Sequence, residues 1–445
     1  MKGTRLSHIQ IIAIGYFVMI AVGTALLCLP FAARSGQSAG VVTALFTATS
    51  ASCVTGLILF DTATYWSLFG QLVILLLIQI GGLGFMTIAT FFHKILRKRT
   101  GLRERAVAAE SINTTRMGGF SVLIRRIIAG TALFEGVGAV LLSCWFVPHF
   151  GWRKGLYFAV FHAVTAFCNA GFDLFGVVAP RSSLTSVSGN WLINAVVMIL
   201  IIAGGIGFLV WDDVLTWKFR FKRYALNTKI VLTTSAVLVF GGAILLYGFE
   251  LANPAFAALP AGEKVLTSLF GSVTARTAGF NSVDTAALTP ASKLLTIVLM
   301  FIGGSPGSTA GGLKTTTLVV LILHMVAGMR GKREIHLFGR SLKEDALKKA
   351  AVVFVLNFSL TLCGTMLLCA FQGFSITDGL FEAVSAIGTV GMTTGITGQL
   401  CLGGKIVIML LMFCGRVGSV SFATALLERR VKPPVTYPAE EISIG

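Results

Sequence analysis

The sequence predicts an all-α integral membrane protein of four tandem helix–pore loop–helix repeats, with eight transmembrane helices and four re-entrant half-helices around a pseudo-fourfold axis. Three observations predict it: an extreme apolar composition, eight long apolar stretches, and a short apolar segment that recurs four times, each time ending at a glycine. Of 445 residues, 55% are hydrophobic and 12% charged. Soluble chains carry about a quarter charged residues, so the solvent for most of this chain is lipid.

A helix needs roughly 20 apolar residues to cross a hydrocarbon core. Ile9–Leu29, Leu68–Phe92, Ile124–Pro148, Trp191–Val210, Ile230–Glu250, Ala350–Phe371 and Lys405–Leu427 meet that length. The remaining stretch, Leu294–Val326, is too long: as one helix it would run roughly 50 Å against a core of about 30 Å. It must bend or break.

The net charge of +18 excludes neither membranes nor nucleic acid, but its distribution decides between them. The basic residues form no single tract. The N-terminus, the loops around Arg97–Arg99, Lys218–Lys229 and Arg330–Lys349, and the tail Arg429–Lys432 hold 26 of the 36 lysines and arginines. This is the positive-inside pattern, with both termini and the basic loops cytoplasmic, and no nucleic-acid partner is expected. Lys2 and Arg5 lead into a span followed by no small-residue cleavage motif, so no cleaved leader is expected. The eight cysteines lack CxxC or CxxH spacing, which gives neither a zinc site nor a disulfide framework.

Between alternate spans lie four apolar segments too short to cross: Gly40–Ser50, Gly155–Ala166, Gly262–Val273 and Thr377–Ala386. They end in LFTATSASCVTGL, VFHAVTAFCNAGF, LFGSVTARTAGF and LFEAVSAIGTVGM. Their glycines, Gly56, Gly171, Gly279 and Gly391, lie 115, 108 and 112 residues apart, and the third copy is one residue shorter. So long a period is not a solenoid. The repeats are bounded at 1–110, 111–217, 218–337 and 338–445.

A half-helix and loop at membrane depth must be buried in protein or line water, because unpaired backbone groups cannot face lipid. Four of them around one axis make a pore. Carbonyls turned inward at a glycine can replace the water shell of a cation, and the negative ends of the half-helices favour that sign of charge. The expected filter residues are Cys53, Val54, Thr55 and Gly56; Cys168, Asn169, Ala170 and Gly171; Arg276, Thr277, Ala278 and Gly279; and Thr389, Val390 and Gly391. The alternative is four structural loops that hold no ion. Asp61, Asp173 and Asp284 follow three of the loops and can gather cations at the outer mouth or serve as solvated loop charges. Arg276 would repel a cation on the axis, so we expect it behind the filter, paired with an acid such as Asp284 or bonded to carbonyls.

The inner helix of each unit carries GxxG at Gly81–Gly84, Gly204–Gly207, Gly304–Gly307 and Gly415–Gly418, which lie 25, 33, 25 and 24 residues beyond the filter glycines. The first two copies read as close helix packing. In the third, Pro306 and the run to Gly312 should break the helix. In the fourth, Arg416 sits inside an apolar span, where a charge faces a water path or a partner. We expect Gly303, Gly304, Ser305, Pro306, Gly307, Ser308, Thr309, Ala310, Gly311 and Gly312 to form a loop across the pore whose carbonyls meet Arg416, the two together acting as a gate. The alternative is that Arg416 is a structural pair away from the axis. Lys314 should snorkel towards the cytoplasm.

The four units, the strings VTGL, FCNAGFD, RTAGFNS and TVGM, and the run GGSPGSTAGGLKTT resemble the Trk/Ktr/HKT superfamily of potassium transporters over essentially the whole chain. Eight spans without an additional N-terminal pair resemble the Ktr-type membrane subunit. The resemblance implies potassium uptake at the plasma membrane, in many members coupled to or stimulated by sodium. It also implies a homodimer on a cytoplasmic RCK-type ring that binds ATP/ADP or NAD(H), so that K+ and Na+ are the only ligands of the chain itself. In the family a serine at the first filter glycine admits sodium, so Gly56 implies potassium, and TVGM is near the TVGYG filter of potassium channels.

Other readings are weaker. GSTAGGLKTTT resembles a phosphate loop, but Leu313 separates Gly312 from Lys314 and apolar helix flanks both sides, so a nucleotide enzyme is not expected. An alternating-access carrier is built from inverted repeats, whereas these four run in one direction. A sodium-selective relative of the same architecture stays open. His162 and Glu382 lie in half-helices and are expected to hold loops by hydrogen bonds. Glu135 either pairs with a neighbouring helix or sits near an ion path. The basic loops can bind a regulatory ring or anionic lipid, although topology alone explains them.

Overall fold

Each quarter of the chain folds as a long outer helix, a short pore helix that descends part-way and a loop that leads into a short inner helix. The computed structural model describes residues 8–84, 87, 120–218, 220–331, 335–342 and 344–418. The outer helices are α1 (His8–Leu27), α4 (Phe120–Phe150), α8 (Leu226–Glu250) and α12 (Glu344–Gln372). The pore helices are α2 (Val41–Ser52), α5 (Trp152–Phe167), α9 (Ala261–Thr274) and α13 (Ile376–Ile387). The inner helices are α3 (Leu68–Leu83), α6 (Trp191–Ile206) with its continuation α7 (Phe208–Trp217), α10 (Pro290–Phe301) with α11 (Thr315–Met329), and α14 (Leu402–Val417). A two-residue ribbon, β1 (His336–Leu337) with β2 (Arg340–Ser341), stands in the loop before α12.

Among the described residues only the four outer helices are long and apolar enough to cross a membrane unbroken. They point large apolar side chains outwards: Phe17, Leu133, Val237, Ile244 and Met366 are all exposed. Facing lipid, these side chains incur no hydrophobic penalty.

The inner helices depart from the straight spans expected of them. Each starts at a capping side chain, with Ser67, Asn190, Thr289 and Cys401 accepting from the backbone N–H of Gly70, Ile193, Ser292 and Gly404. Three of them stop at the second glycine of GxxG, where Gly84, Gly207 and Gly418 take φ of 79°, 103° and 93°. A helix cannot continue through that conformation, which only glycine adopts without strain. At Gly207 the expected span Trp191–Val210 turns by 94° into α7. The long stretch Leu294–Val326 breaks as its length demanded, into α10, a loop over 302–314, and α11. The expected ends of the second and eighth spans, at Phe92 and Leu427, the boundary between the first two repeats at 110/111, and the basic segments Arg97–Arg105 and Arg429–Lys432 lie outside the described residues.

The core sits where the pore helices meet. Phe46, Phe161, Phe270 and Phe381, at equivalent positions of the four pore helices, are each fully buried. Each pore helix packs against the outer and inner helices of its own repeat.

Candidate functional site

The site starts from how the pore helices end. In three of the four, the last turn closes with a pair of hydrogen bonds characteristic of a left-handed helix cap. Val54 N–H donates to Ala51 and Thr55 N–H to Ser50; Asn169 to Ala166 and Ala170 to Thr165; Thr389 to Ala386 and Val390 to Ser385, at 2.8–3.1 Å. Such caps favour glycine, yet here the left-handed residues are Val54, Asn169 and Thr389, with φ of 57°, 58° and 51°. The third repeat, one residue shorter, closes with Ala278 N–H on Thr274 and puts Thr277 at φ 72°. A branched residue in this region costs on the order of 1–3 kcal/mol and persists only where its surroundings dictate it. Ser50 and Ser385 add to that constraint, their hydroxyls each accepting from the filter glycine two turns on, Gly56 and Gly391, at 3.1 Å.

These caps bring the four glycines into a closed ring in chain order. A Cβ placed on Gly56 would lie 2.4 Å from the Ala170 carbonyl oxygen and 3.2 Å from Cα of Gly171. One on Gly171 would lie 2.8 Å from the Ala278 oxygen, one on Gly279 2.3 Å from that of Val390, and one on Gly391 2.2 Å from that of Thr55. The residue before each glycine therefore presses its carbonyl against the glycine of the preceding repeat, and the first repeat closes the ring on the fourth. No acid lies in the ring, and the hydroxyls of Thr55 and Thr389 are buried without a hydrogen-bond partner. A ring closed by backbone carbonyls is an oxygen-rich constriction of the kind that can replace the water shell of a monovalent cation.

The other side chains singled out in the sequence support the ring from behind. Arg276 donates to the Ser235 hydroxyl at 3.1 Å and, at 3.5 Å, to its carbonyl, on the outer helix of its own repeat. It does not meet Asp284, which caps a turn by accepting from Ala286 N–H. Cys53 is buried at its helix cap, and the Cys168 thiol reaches Gln79 at 3.4 Å. Glu135 pairs with a neighbouring helix, accepting from Gln79 Nε2 at 3.1 Å. Glu382 accepts from the hydroxyls of Thr393, at 2.8 Å, and Thr397. His162 holds the loop after its filter, its Nε2 accepting from Leu174 N–H at 3.2 Å.

At the outer mouth the acids serve the backbone instead of standing free. Asp61 accepts from the N–H groups of Ala63, Thr64 and Arg181. Asp173 accepts from Phe175 N–H, and burial together with the Asp61 carboxylate pushes its pKa up to about 7.

Beneath the ring, the loop over 302–314 reaches from the third repeat to the second and fourth, and through Arg416 to the first. It starts and ends at a single parallel bridge, Ile302 with Leu313. Ser305 N–H and Thr309 N–H donate to the carbonyls of Gly205 and Gly204 of the second repeat at 3.1 and 3.2 Å, and Phe208 N–H returns a bond to Gly307. Gly311 lies so close to Thr389 of the fourth repeat that a Cβ would meet its hydroxyl at 2.2 Å. Arg416, also of the fourth, donates to the Thr309 carbonyl in the loop and to the carbonyls of Gly81 and Gly82 of the first. Tyr16 on α1 completes the set, accepting from Arg416 Nε and donating to Gly81, each at 3.3 Å. Lys314 does not snorkel: its ammonium folds back onto the carbonyls of Ala310 and Gly311 at 2.7 and 3.3 Å.

Thus all fifteen expected filter residues lie at or just before the ring, and Gly303–Gly312 and Arg416 lie together below it. Sequence reasoning missed Tyr16 and the part played by the first two GxxG copies. Those do pack closely, since a Cβ on Gly81 or Gly204 would strike the Ser52 or Phe167 carbonyl. They also supply the acceptors for Arg416 and the loop. The signal was the GxxG recurrence itself, which ends a helix and so frees carbonyls.

Long apolar outer helices around short buried half-helices define an all-α multi-pass membrane protein. The chain belongs to the TrkH family, described as cation transport proteins, whose family model matches residues 4–433. It is 43% identical to the potassium/sodium uptake protein NtpJ of Enterococcus hirae over 99% of this chain and 98% of that one. It is 39% identical to Ktr system potassium uptake protein B of Bacillus subtilis, over 100% of this chain and 98% of that one. Among solved structures it is similar to the potassium transporter TrkH from Vibrio parahaemolyticus, with a TM-score of 0.73 at 16% identity, covering 96% of this chain and 86% of that one.

Proposed function

We propose that the protein is the membrane subunit of a potassium uptake system, conducting K+ through the ring at Gly56, Gly171, Gly279 and Gly391. The observation that carries this reading is the closure of that ring by backbone oxygens, without an acidic side chain that would favour divalent ions. The full-length relatives named for potassium uptake support it. The loop of residues 302–314, latched by Arg416, is the gate: it spans the space below the ring, and conduction requires it to move. Replacing Gly303–Gly312 with a shorter linker is expected to raise potassium flux, measured as rubidium uptake; unchanged flux with unchanged regulation contradicts the gate.

Sodium stimulation, or sodium passage beside potassium, is the second reading, favoured by the relative named for uptake of both ions. The subunit works as a homodimer in the plasma membrane, with both termini cytoplasmic, seated on a nucleotide-binding ring of RCK type. The excess of basic residues in the cytoplasmic loops suits such a ring or anionic lipid. The test is growth at low potassium of a host stripped of its own uptake systems, with and without a co-expressed regulatory subunit. Rescue is expected with the subunit; failure in both cases overturns the reading.

A further inference from the structure

The four repeats differ most at the outer mouth. From filter glycine to first inner-helix residue the chain takes 12 positions in the first repeat (Gly56 to Leu68) and 11 in the third (Gly279 to Pro290) and fourth (Gly391 to Leu402). In the second it takes 20 (Gly171 to Trp191). This excess is the source of the 33-residue spacing to the second GxxG. The inserted stretch does not loop freely into the outer solution. It crosses the mouth and ties itself to the other three repeats.

In the first repeat, Arg181 Nη2 donates to the Leu59 carbonyl, three residues past the filter glycine, at 2.9 Å, and Arg181 N–H donates to Asp61 at 3.1 Å. In the third, Leu184 N–H donates to the Asn281 carbonyl at 2.9 Å, while Asn281 N–H donates to the Ser183 hydroxyl at 3.1 Å. Asn281 lies two residues past its filter glycine. Ser188 adds a hydroxyl bond of 2.5 Å to Glu263 on α9. In the fourth, the Arg181 guanidinium lies flat enough against Gly398 that a Cβ there would sit 3.0 Å from both terminal nitrogens. Arg181 and Ser183 hold φ of 57° and 44°, and Leu184 between the two ties is fully buried. Two strained non-glycine residues in three positions mark a segment whose conformation is dictated by what it touches.

We propose that this insertion is an outer clamp on the filter, and that Arg181 is a positioning residue that sets discrimination between K+ and Na+. The stretches it holds are those that leave the filter. A carbonyl ring held at the spacing of the larger ion loses discrimination when its flanks are free to shrink around the smaller one. A guanidinium bound to Leu59 and seated on Gly398 joins the exits of the first and fourth filters, the two whose glycines also meet in the ring, while Ser183 and Leu184 fix the third. The four filters thereby share one brace, contributed by the second repeat.

The inference rests on the reading of the ring as a potassium filter, so the experiment separates the two. Rubidium uptake by full-length protein in vesicles is measured against competing K+ and Na+, for the wild type and for Arg181→Gln, Arg181→Lys and Gly398→Ala. Arg181→Gln should let Na+ inhibit roughly tenfold more effectively, the low end of what one lost charge-assisted hydrogen bond carries, with a smaller change in maximal rate. Gly398→Ala, which displaces the guanidinium without altering it, should shift inhibition the same way. Arg181→Lys, which keeps a charged donor, should recover part of the discrimination. Unchanged sodium inhibition in both Arg181→Gln and Gly398→Ala overturns the clamp. Wild-type uptake that K+ does not inhibit overturns the filter reading instead.

Discussion

Gly391→Ala is expected to abolish selective potassium uptake, lowering rubidium influx at least about tenfold or removing the preference for K+ over Na+. The added Cβ would lie 2.2 Å from the Thr55 carbonyl oxygen and 2.9 Å from Cα of Gly56. Both are backbone atoms, so no rotamer change relieves the collision, and the ring must open at the junction of the fourth and first repeats. An opened ring no longer offers oxygens at the spacing that replaces a water shell. Alanine at φ of 94° adds strain of about 1–2 kcal/mol. Gly395→Ala separates the two causes. Gly395 has φ of 100°, yet a Cβ there meets nothing within 4 Å. Backbone strain alone predicts equal damage from both substitutions; collision in the ring predicts that Gly395→Ala retains selective uptake.

Arg416→Gln is the second large expectation: flux rises by about tenfold or more, and its dependence on the regulatory ring weakens. The arginine joins the Thr309 carbonyl of the crossing loop to the Gly81 and Gly82 carbonyls of the first repeat. Charge-assisted bonds of this kind contribute roughly 1.5–3 kcal/mol each, so losing two shifts a closed-to-open balance by at least an order of magnitude. Glutamine keeps polarity and reach for only one of them. The loop remains tied to Gly204 and Gly205 by backbone bonds, so the variant is expected to fold and to gate loosely. Tyr16→Phe removes only the hydroxyl that braces Arg416, and its smaller effect should lie in the same direction. Flux and regulation unchanged in Arg416→Gln would place the arginine outside the gate.

How much of this was legible in the chain follows from what a side chain can signal. The ring was legible because glycine recurs at the one place where a Cβ would meet the next repeat. The break in the third inner helix was legible from length and Pro306. The 94° bend at Gly207 was not: IGGLGF and AGGIGF contain no proline, and a glycine pair inside an apolar helix reads equally as packing. The left-handed caps at Val54, Thr277 and Thr389 ran against the sequence, since branched residues avoid that conformation. Their cause lies in the local cap bonds to Ser50, Thr274 and Ser385 together with the neighbouring repeat, whose backbone packs against the glycine that follows. The acceptors of Arg416 are carbonyls, which every residue has and none advertises. Lys314 misled because lysine at a helix end in lipid usually reaches for water, whereas here the loop's own carbonyls lie nearer. The long spacing in the second repeat was visible as a number, but what the additional residues hold is seen only in three dimensions.

The central claim, that the four-glycine ring is a potassium filter, is tested most directly by uptake of radioactive rubidium into vesicles containing the purified protein, with K+, Na+ or choline as competitor. The account predicts uptake well above empty vesicles, inhibited by K+ at least about tenfold more effectively than by Na+, unaffected by choline, and lost in Gly391→Ala. Uptake no greater than in empty vesicles, equal inhibition by Na+ and K+, or full selectivity in Gly391→Ala would contradict it.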